Sequence, residues 1–354
     1  MGARIRVLVV DDSVVIRRLV TQALEESPEI EVVGTAANGR IALQRIPQLN
    51  PDAVTMDVEM PEMNGIEAVR EIRKCYPKLR VIMFSTLTQR GASATIEALA
   101  CGADDYVTKA SNVGSLGKSM ASLRAELAPK IKQFFSVPAA RPRIARPPGA
   151  VAVFRGTPAP RGSTQRKALV VGVSTGGPQA LSAFLPRIPG DFPAPVLIVQ
   201  HMPAMFTRLL AERLQTQSKL RVTEAADGDV VEPGRAFIAP GDFHMRPVKR
   251  DGRIVLALDK GPPENSCRPS VDPMFRAAAE IWGAGVVAAV LTGMGQDGLR
   301  GAESLKGRGA YVIAQDEESS VVWGMPGAVV NAGHADVVAS LDSMAAAVQS
   351  QFNR

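Results

Sequence analysis

The chain has 354 residues, 46% of them hydrophobic and 21% charged, with a net charge of +6 at neutral pH. That length suits two domains, and the composition is that of a soluble globular protein and excludes a fibrous or disordered one. No apolar run reaches the 18 or more residues of a membrane span, so no membrane insertion is expected. Cys75, Cys101 and Cys267 show neither metal spacing nor even pairing, which reads as reduced thiols in a cytoplasmic protein.

The strands and helices expected along the head alternate. IRVLVV, IEVVGTA, AVTMD, RVIMFS and DYVTK read as strands. VVIRRLVTQALEE, IALQRI, GIEAVREIRKCY, ATIEALACG and a final amphipathic stretch follow them as helices. Five βα units imply a parallel sheet covered on both faces, with its site at the carboxyl ends of the strands. Asp11 and Asp12 close the first strand, Asp57 the third, Ser85 the fourth and Lys109 the fifth. Three clustered carboxylates repel one another, and a hard divalent cation such as Mg²⁺ relieves that repulsion. Asp57, at a strand end before VEMPEMNG, is the expected phosphoryl acceptor. Lys109 pairs with the incoming group and Ser85 donates a hydrogen bond to it.

DD, MDVEMPEMNG, FSTLT and DDYVTK together closely resemble response-regulator receiver domains over residues 4 to 126. The resemblance implies Mg²⁺ held by Asp11, Asp12 and Asp57, with a sensor histidine kinase as phosphodonor. One departure is visible, since proline usually follows the lysine in that family and Ala110 follows Lys109 here. No catalytic group is lost by it.

Residues 138–167 carry six arginines, Lys167 and six prolines, but no acid. Those seven positive charges exceed the net charge of the whole chain, so basicity belongs to this segment and not to a folded nucleic-acid-binding face. Proline without hydrophobic periodicity reads as a stiff, partly extended linker. The expected division is therefore a receiver at 1–127, a linker at 128–165 and a second domain at 166–354, with no nucleic-acid partner.

The tail alternates again. ALVVGV leads to a helix from Gly177, and APVLIVQ leads to MFTRLLAERLQTQ. AFIAP, RIVLAL and GVVAAVLTG read as strands, and MFRAAAEIW and AESLKG as helices, so a second α/β domain with a mainly parallel sheet is expected. At the end of ALVVGV sits Ser174, within GVSTG. It could cap the next helix, belong to a phosphate-cradling turn, although the P-loop lysine is missing, or be a nucleophile on a sharp turn.

A serine nucleophile needs a base and an orienting acid. Among the three histidines, His201 directly follows a buried strand and is favoured. His244 lies in a loop after IAPGDF, and His334 is remote from any strand end. For the acid, Asp297 follows a strand through a glycine-rich loop, whereas Asp272 reads as a helix cap and Asp316 as a surface residue.

VGVSTGGPQAL, IVQHMP, FIAPGDFHM, RPSVDPMF and LTGMGQDG resemble the catalytic domain of the chemotaxis protein-glutamate methylesterase (CheB) family. The resemblance implies hydrolysis of glutamate γ-methyl esters, and deamidation of selected glutamines, on methyl-accepting chemoreceptors. It carries over Ser174 as nucleophile, His201 as base and Asp297 as orienting acid, with Thr175 and Met294 beside the reacting carbonyl. No cofactor is implied for the ester reaction, and the receiver is implied to restrain the enzyme until phosphorylated.

Overall fold

A computed structural model describes residues 4–86, 88–109, 116–135, 152–153 and 165–353. The chain divides into two compact units, residues 1–142 and 143–354.

The first unit alternates strand and helix throughout: β1 (Ile5–Val10), α1 (Val14–Glu25), β2 (Ile30–Ala36), α2 (Gly39–Leu49) and β3 (Ala53–Asp57). It continues through α3 (Gly65–Cys75), β4 (Arg80–Thr86), α4 (Gln89–Ala100), β5 (Asp105–Lys109) and α5 (Leu116–Lys132). The sheet order is β2-β1-β3-β4-β5, every pair parallel. Strand order reverses between β1 and β3, which opens a crevice at their carboxyl ends. Local sequence sets the helix starts. Ser13 accepts from the Ile16 N–H, and Asn64 with Glu67 forms a reciprocal capping box on α3. Val7, Val9, Ile82, Phe84 and Val107 of the sheet pack with Leu24, Leu127 and Ile131 of α1 and α5.

The expected boundary at residue 127 falls inside α5. Ala128 and Ile131 are buried in the same core, and Phe134 and Phe135 pack against it. Pro129 did not stop the helix, so the packed head extends to about residue 135. Most of the expected linker (136–151 and 154–164), and Ala110, lie outside the described residues. Within it, β6 (Ala152–Val153) pairs antiparallel with a strand of the second unit.

In that second unit β7 (Ala168–Val173) is central. Next in the chain come α6 (Gly177–Phe184), β8 (Val196–Gln200), α7 (Ala204–Gln217), β9 (Arg221–Glu224) and β10 (Arg235–Ile238). A separate antiparallel hairpin of β11 (His244–Arg250) and β12 (Arg253–Asp259) precedes α8 (Val271–Trp282). The remaining elements are β13 (Val286–Val290), α9 (Leu299–Gly307), β14 (Tyr311–Gln315), α10 (Met325–Asn331), β15 (Val337–Ala339) and α11 (Leu341–Phe352). The sheet runs β6-β15-β14-β13-β7-β8-β10-β9, parallel except at β6. RIVLAL is thus a strand, but of the hairpin and not of the main sheet. The chain leaves β7 for β8 on one side and returns to β13 on the other, so the switch point lies at β7. Val170, Leu197, Val199, Val286 and Ala288 line the sheet face on which Met274 and Phe275 of α8 pack.

Candidate active site

Three strand ends meet at that switch point. Ser174 follows β7, His201 follows β8, and Asp297 lies seven residues after Val290 closes β13. Ser174 Oγ stands 3.1 Å from His201 Nδ1, and His201 Nε2 stands 2.7 Å from Asp297 Oδ2. A carboxylate only accepts hydrogen bonds, so in the neutral ring Nε2 carries the proton and the Nδ1 lone pair faces the Ser174 hydroxyl. Ser174 does not cap α6. Gly176 occupies that position at φ 76°, with no side-chain cap bond, and Ser174 contributes only its carbonyl to the turn, accepting from the Gly177 N–H. Gly293 makes close approach possible on the other side, since a Cβ there would meet Ser174 Cβ at 2.8 Å.

Asp297 is buried, and the N-terminus of α8 surrounds it. Its oxygens accept from the backbone N–H groups of Val271 at 2.7 Å, Asp272 at 3.1 Å and Gly298 at 2.9 Å, and from the Ser270 hydroxyl at 2.8 Å. Burial by itself raises a carboxyl pKa. Here the bond and charge of His201, with the Val271 and Ser270 donors, outweigh it and hold Asp297 down at about 2. For His201, burial works toward the neutral ring. The hydrogen bond to Asp297 and that carboxylate's negative charge, with Cys267 close by, overcome it and raise the imidazolium pKa.

The other candidates sit elsewhere. His244 is buried with both ring nitrogens engaged, Nε2 donating to Pro262 O at 3.0 Å and Nδ1 accepting from the Ser270 N–H at 3.3 Å. Asp316 accepts from the N–H and hydroxyl of Ser319, in a turn of its own. Asp272 lies near Asp297 without contacting His201, and its oxygens accept from Gly301 N–H and Asn265. Thr175 is buried, its carbonyl accepting from the Thr292 hydroxyl, while Met294 is 42% exposed. Sequence reasoning missed four neighbours, Asn265, Cys267, Ser270 and Gln200, and only the last left any trace. The amide of Gln200 donates to Ser174 O at 3.0 Å. A single glutamine ending an apolar strand was the one available signal.

In the first unit, Asp11 and Asp57 are buried and Asp12 is exposed, and their carboxylate oxygens lie within 4.8 Å of one another. Lys109 Nζ bridges Asp11 Oδ2 at 2.9 Å and Asp57 Oδ2 at 2.8 Å. Burial, then the negative charge of Asp11, push Asp57 up to about 6, with Lys109 and the Val58 N–H pulling the other way. An all-oxygen donor set that strains against its own charge fits a hard divalent cation. Ser85 is turned away, donating to Gly91 O at 3.1 Å.

Family models match both units: a CheB methylesterase model over residues 169–348 and a response regulator receiver model over 7–121. A protein-glutamate methylesterase/protein-glutamine glutaminase of Trichodesmium erythraeum is 47% identical over 342 residues, 97% of each chain. One of Nocardioides sp. is 52% identical, across 95% of this chain and 92% of its own. The Thermotoga maritima CheB methylesterase catalytic domain superposes with a TM-score of 0.51 at 44% identity, over 53% of this chain and 98% of that one. Since the resemblance runs almost end to end through both units, the chain belongs to the CheB methylesterase family and is a receiver-linked enzyme of that class.

Proposed function

We propose that this enzyme demethylates glutamate γ-methyl esters, and deamidates selected glutamines, on methyl-accepting chemoreceptors, using Ser174, His201 and Asp297. The observation that carries this reading is the unbroken relay from Ser174 Oγ through the imidazole to a carboxylate held by a helix N-terminus. His201 Nδ1 takes the hydroxyl proton as Ser174 Oγ attacks the ester carbonyl. Asp297 fixes the tautomer and stabilises the imidazolium. Collapse of the tetrahedral intermediate expels methoxide, which takes the proton from Nδ1 and leaves as methanol. Water, activated by the same nitrogen, then releases the glutamate and restores Ser174. On a glutamine the leaving group is ammonia. Met294 and the Thr175 turn border the reacting carbonyl.

The receiver is read as the control input. Asp57 accepts the phosphoryl group from a sensor histidine kinase, and Asp11, Asp12 and Asp57 would hold Mg²⁺, which neutralises phosphoryl and carboxylate charge when bound. Lys109 pairs with the new phosphoryl oxygens. For the phosphoryl contact, Ser85 must leave Gly91 O. Methanol release from methylated receptor membranes tests the catalytic reading. Wild type should release it and Ser174→Ala should fall at least about a hundredfold. Retention of activity in that variant refutes the nucleophile.

A further inference from the structure

The loop Glu264–Cys267 is a closed turn. Glu264 and Cys267 exchange backbone hydrogen bonds of 3.1 and 2.9 Å, and Asn265 and Ser266 between them have φ of 51° and 61°. Left-handed backbone at two successive non-glycine residues is costly, so it persists only where its surroundings enforce it. Here they do. One guanidinium nitrogen of Arg276, on α8, donates to both Glu264 carboxylate oxygens, at 2.6 and 2.8 Å. The turn is thereby fastened to the helix whose N-terminus holds Asp297.

What the turn presents is the Asn265 amide. Its Nδ2 donates to Asp272 Oδ2 at 2.9 Å and to Asp297 Oδ1 at 2.8 Å. The amide has two hydrogens on that nitrogen, and each is committed to one carboxylate. An isolated amide could turn over and aim its oxygen at Asp297, which would repel it. Asp272 prevents this because an ionised carboxylate offers no donor to the amide oxygen. Asp272 is itself pinned through Oδ1 by the Gly301 N–H at 2.7 Å.

We propose that Asn265 and Asp272 are a positioning pair for the esterase reaction: Asp272 keeps the Asn265 NH₂ face toward Asp297, and that bond holds Oδ1 so that Oδ2 stays aligned on His201. Neither residue touches the reacting ester. The inference rests on the Ser174–His201–Asp297 reading.

The test uses the full chain with methylated receptor membranes, comparing N265A, N265D, D272N and the N265A/D272N double variant, with S174A as reference. Asn265 is exposed, so N265A and N265D spare the core. N265A should lower kcat about tenfold, the scale of one hydrogen bond to a charged group, with KM within about twofold. N265D should lower it further, because it sets a third carboxylate against the other two. In D272N the new amide donates toward Asn265, turning that residue over, so the double variant should be no slower than the slower single one. A merely structural role would move the unfolding temperature and leave the kcat order unexplained. N265A and N265D with kcat within twofold of wild type overturn the proposal, as do losses that multiply in the double variant. Full activity in S174A would instead overturn the nucleophile on which the proposal depends.

Discussion

Replacing Asp57 by asparagine should stabilise the first unit. The carboxyl is buried, and burial together with Asp11 moves it from 3.8 to about 6 against the pull of Lys109. At 1.36 kcal/mol per tenfold in proton affinity, keeping it ionised at neutral pH costs the folded state about 3 kcal/mol. Asparagine mimics the protonated acid: its Oδ1 still accepts from the Val58 N–H, and Lys109 keeps Asp11. Because its NH₂ then faces Lys109, we expect about 1 to 3 kcal/mol. The sign follows from a folded pKa above the unfolded one: the penalty is complete above about pH 6 and gone below about 3.8. Native-state hydrogen exchange at the amides of β1 and β3 in the intact chain isolates this unit. In Asp57→Asn those amides should exchange about five- to 150-fold more slowly at pH 7, and the gap should close as pH falls toward 4. Mg²⁺ should narrow the gap at pH 7 by stabilising the wild type alone. Equal protection at pH 7, or a gap that widens on acidification, refutes the reasoning.

Three further outcomes follow from the second unit. His201→Ala should be about as slow as Ser174→Ala, and the double variant no slower, whereas His244→Ala should lose thermal stability while keeping its chemistry; a dead His244→Ala with an active His201→Ala would reassign the base. The imidazolium of His201 is raised, so kcat/KM should rise with pH along a limb above 6.5. In Asp297→Asn, without its negative partner, that limb should move to lower pH as kcat falls, and an upward move would contradict the pairing. A fragment of residues 166–354 should hydrolyse ester about ten- to a hundredfold faster than the unphosphorylated full chain and ignore small phosphodonors, the factor for releasing a restraint of a few kcal/mol. A fragment slower than the intact enzyme would mean that the receiver activates directly.

Legibility varied with how local the signal was. The five strands of the first unit were readable as short runs rich in apolar residues, and four of them, all but β2, end at or just before a polar residue that the parallel sheet brings to one edge. The same held for β7, β8 and β13, so Ser174, His201 and Asp297 could be placed at neighbouring strand ends. α5 runs past residue 127, where the resemblance to receivers ends, because the burial of Ile131 comes from tertiary packing with the sheet and α1, which no local pattern carries. The hairpin of β11 and β12 was half seen, since HMRPVKR alternates weakly and carries a proline. Asn265, Cys267 and Ser270 were invisible: each acts through a turn or a helix N-terminus whose partner lies elsewhere in the chain. Asp272 was seen as a helix cap. Its link to Asp297 through one shared amide could not be.

The two sites place a buried aspartate at the same edge of a parallel sheet, Asp57 as the last residue of β3 and Asp297 in the loop after β13, yet drive it in opposite directions. Asp57 faces Asp11, has one backbone donor and one lysine shared with its neighbour, and rises to about 6. Asp297 receives three backbone N–H groups, a hydroxyl, an amide and an imidazole, and falls to about 2. Burial opposes ionisation in both, so the difference lies in the like charge of Asp11 beside the one and in the donors gathered round the other. An acid that must stay charged throughout a reaction cycle has its compensation built into the fold, at α8. Under the proposed function, Asp57 is left undercompensated until a cation or a phosphoryl group meets its charge, and that unrelieved charge is the free energy through which ligand binding would act on the fold.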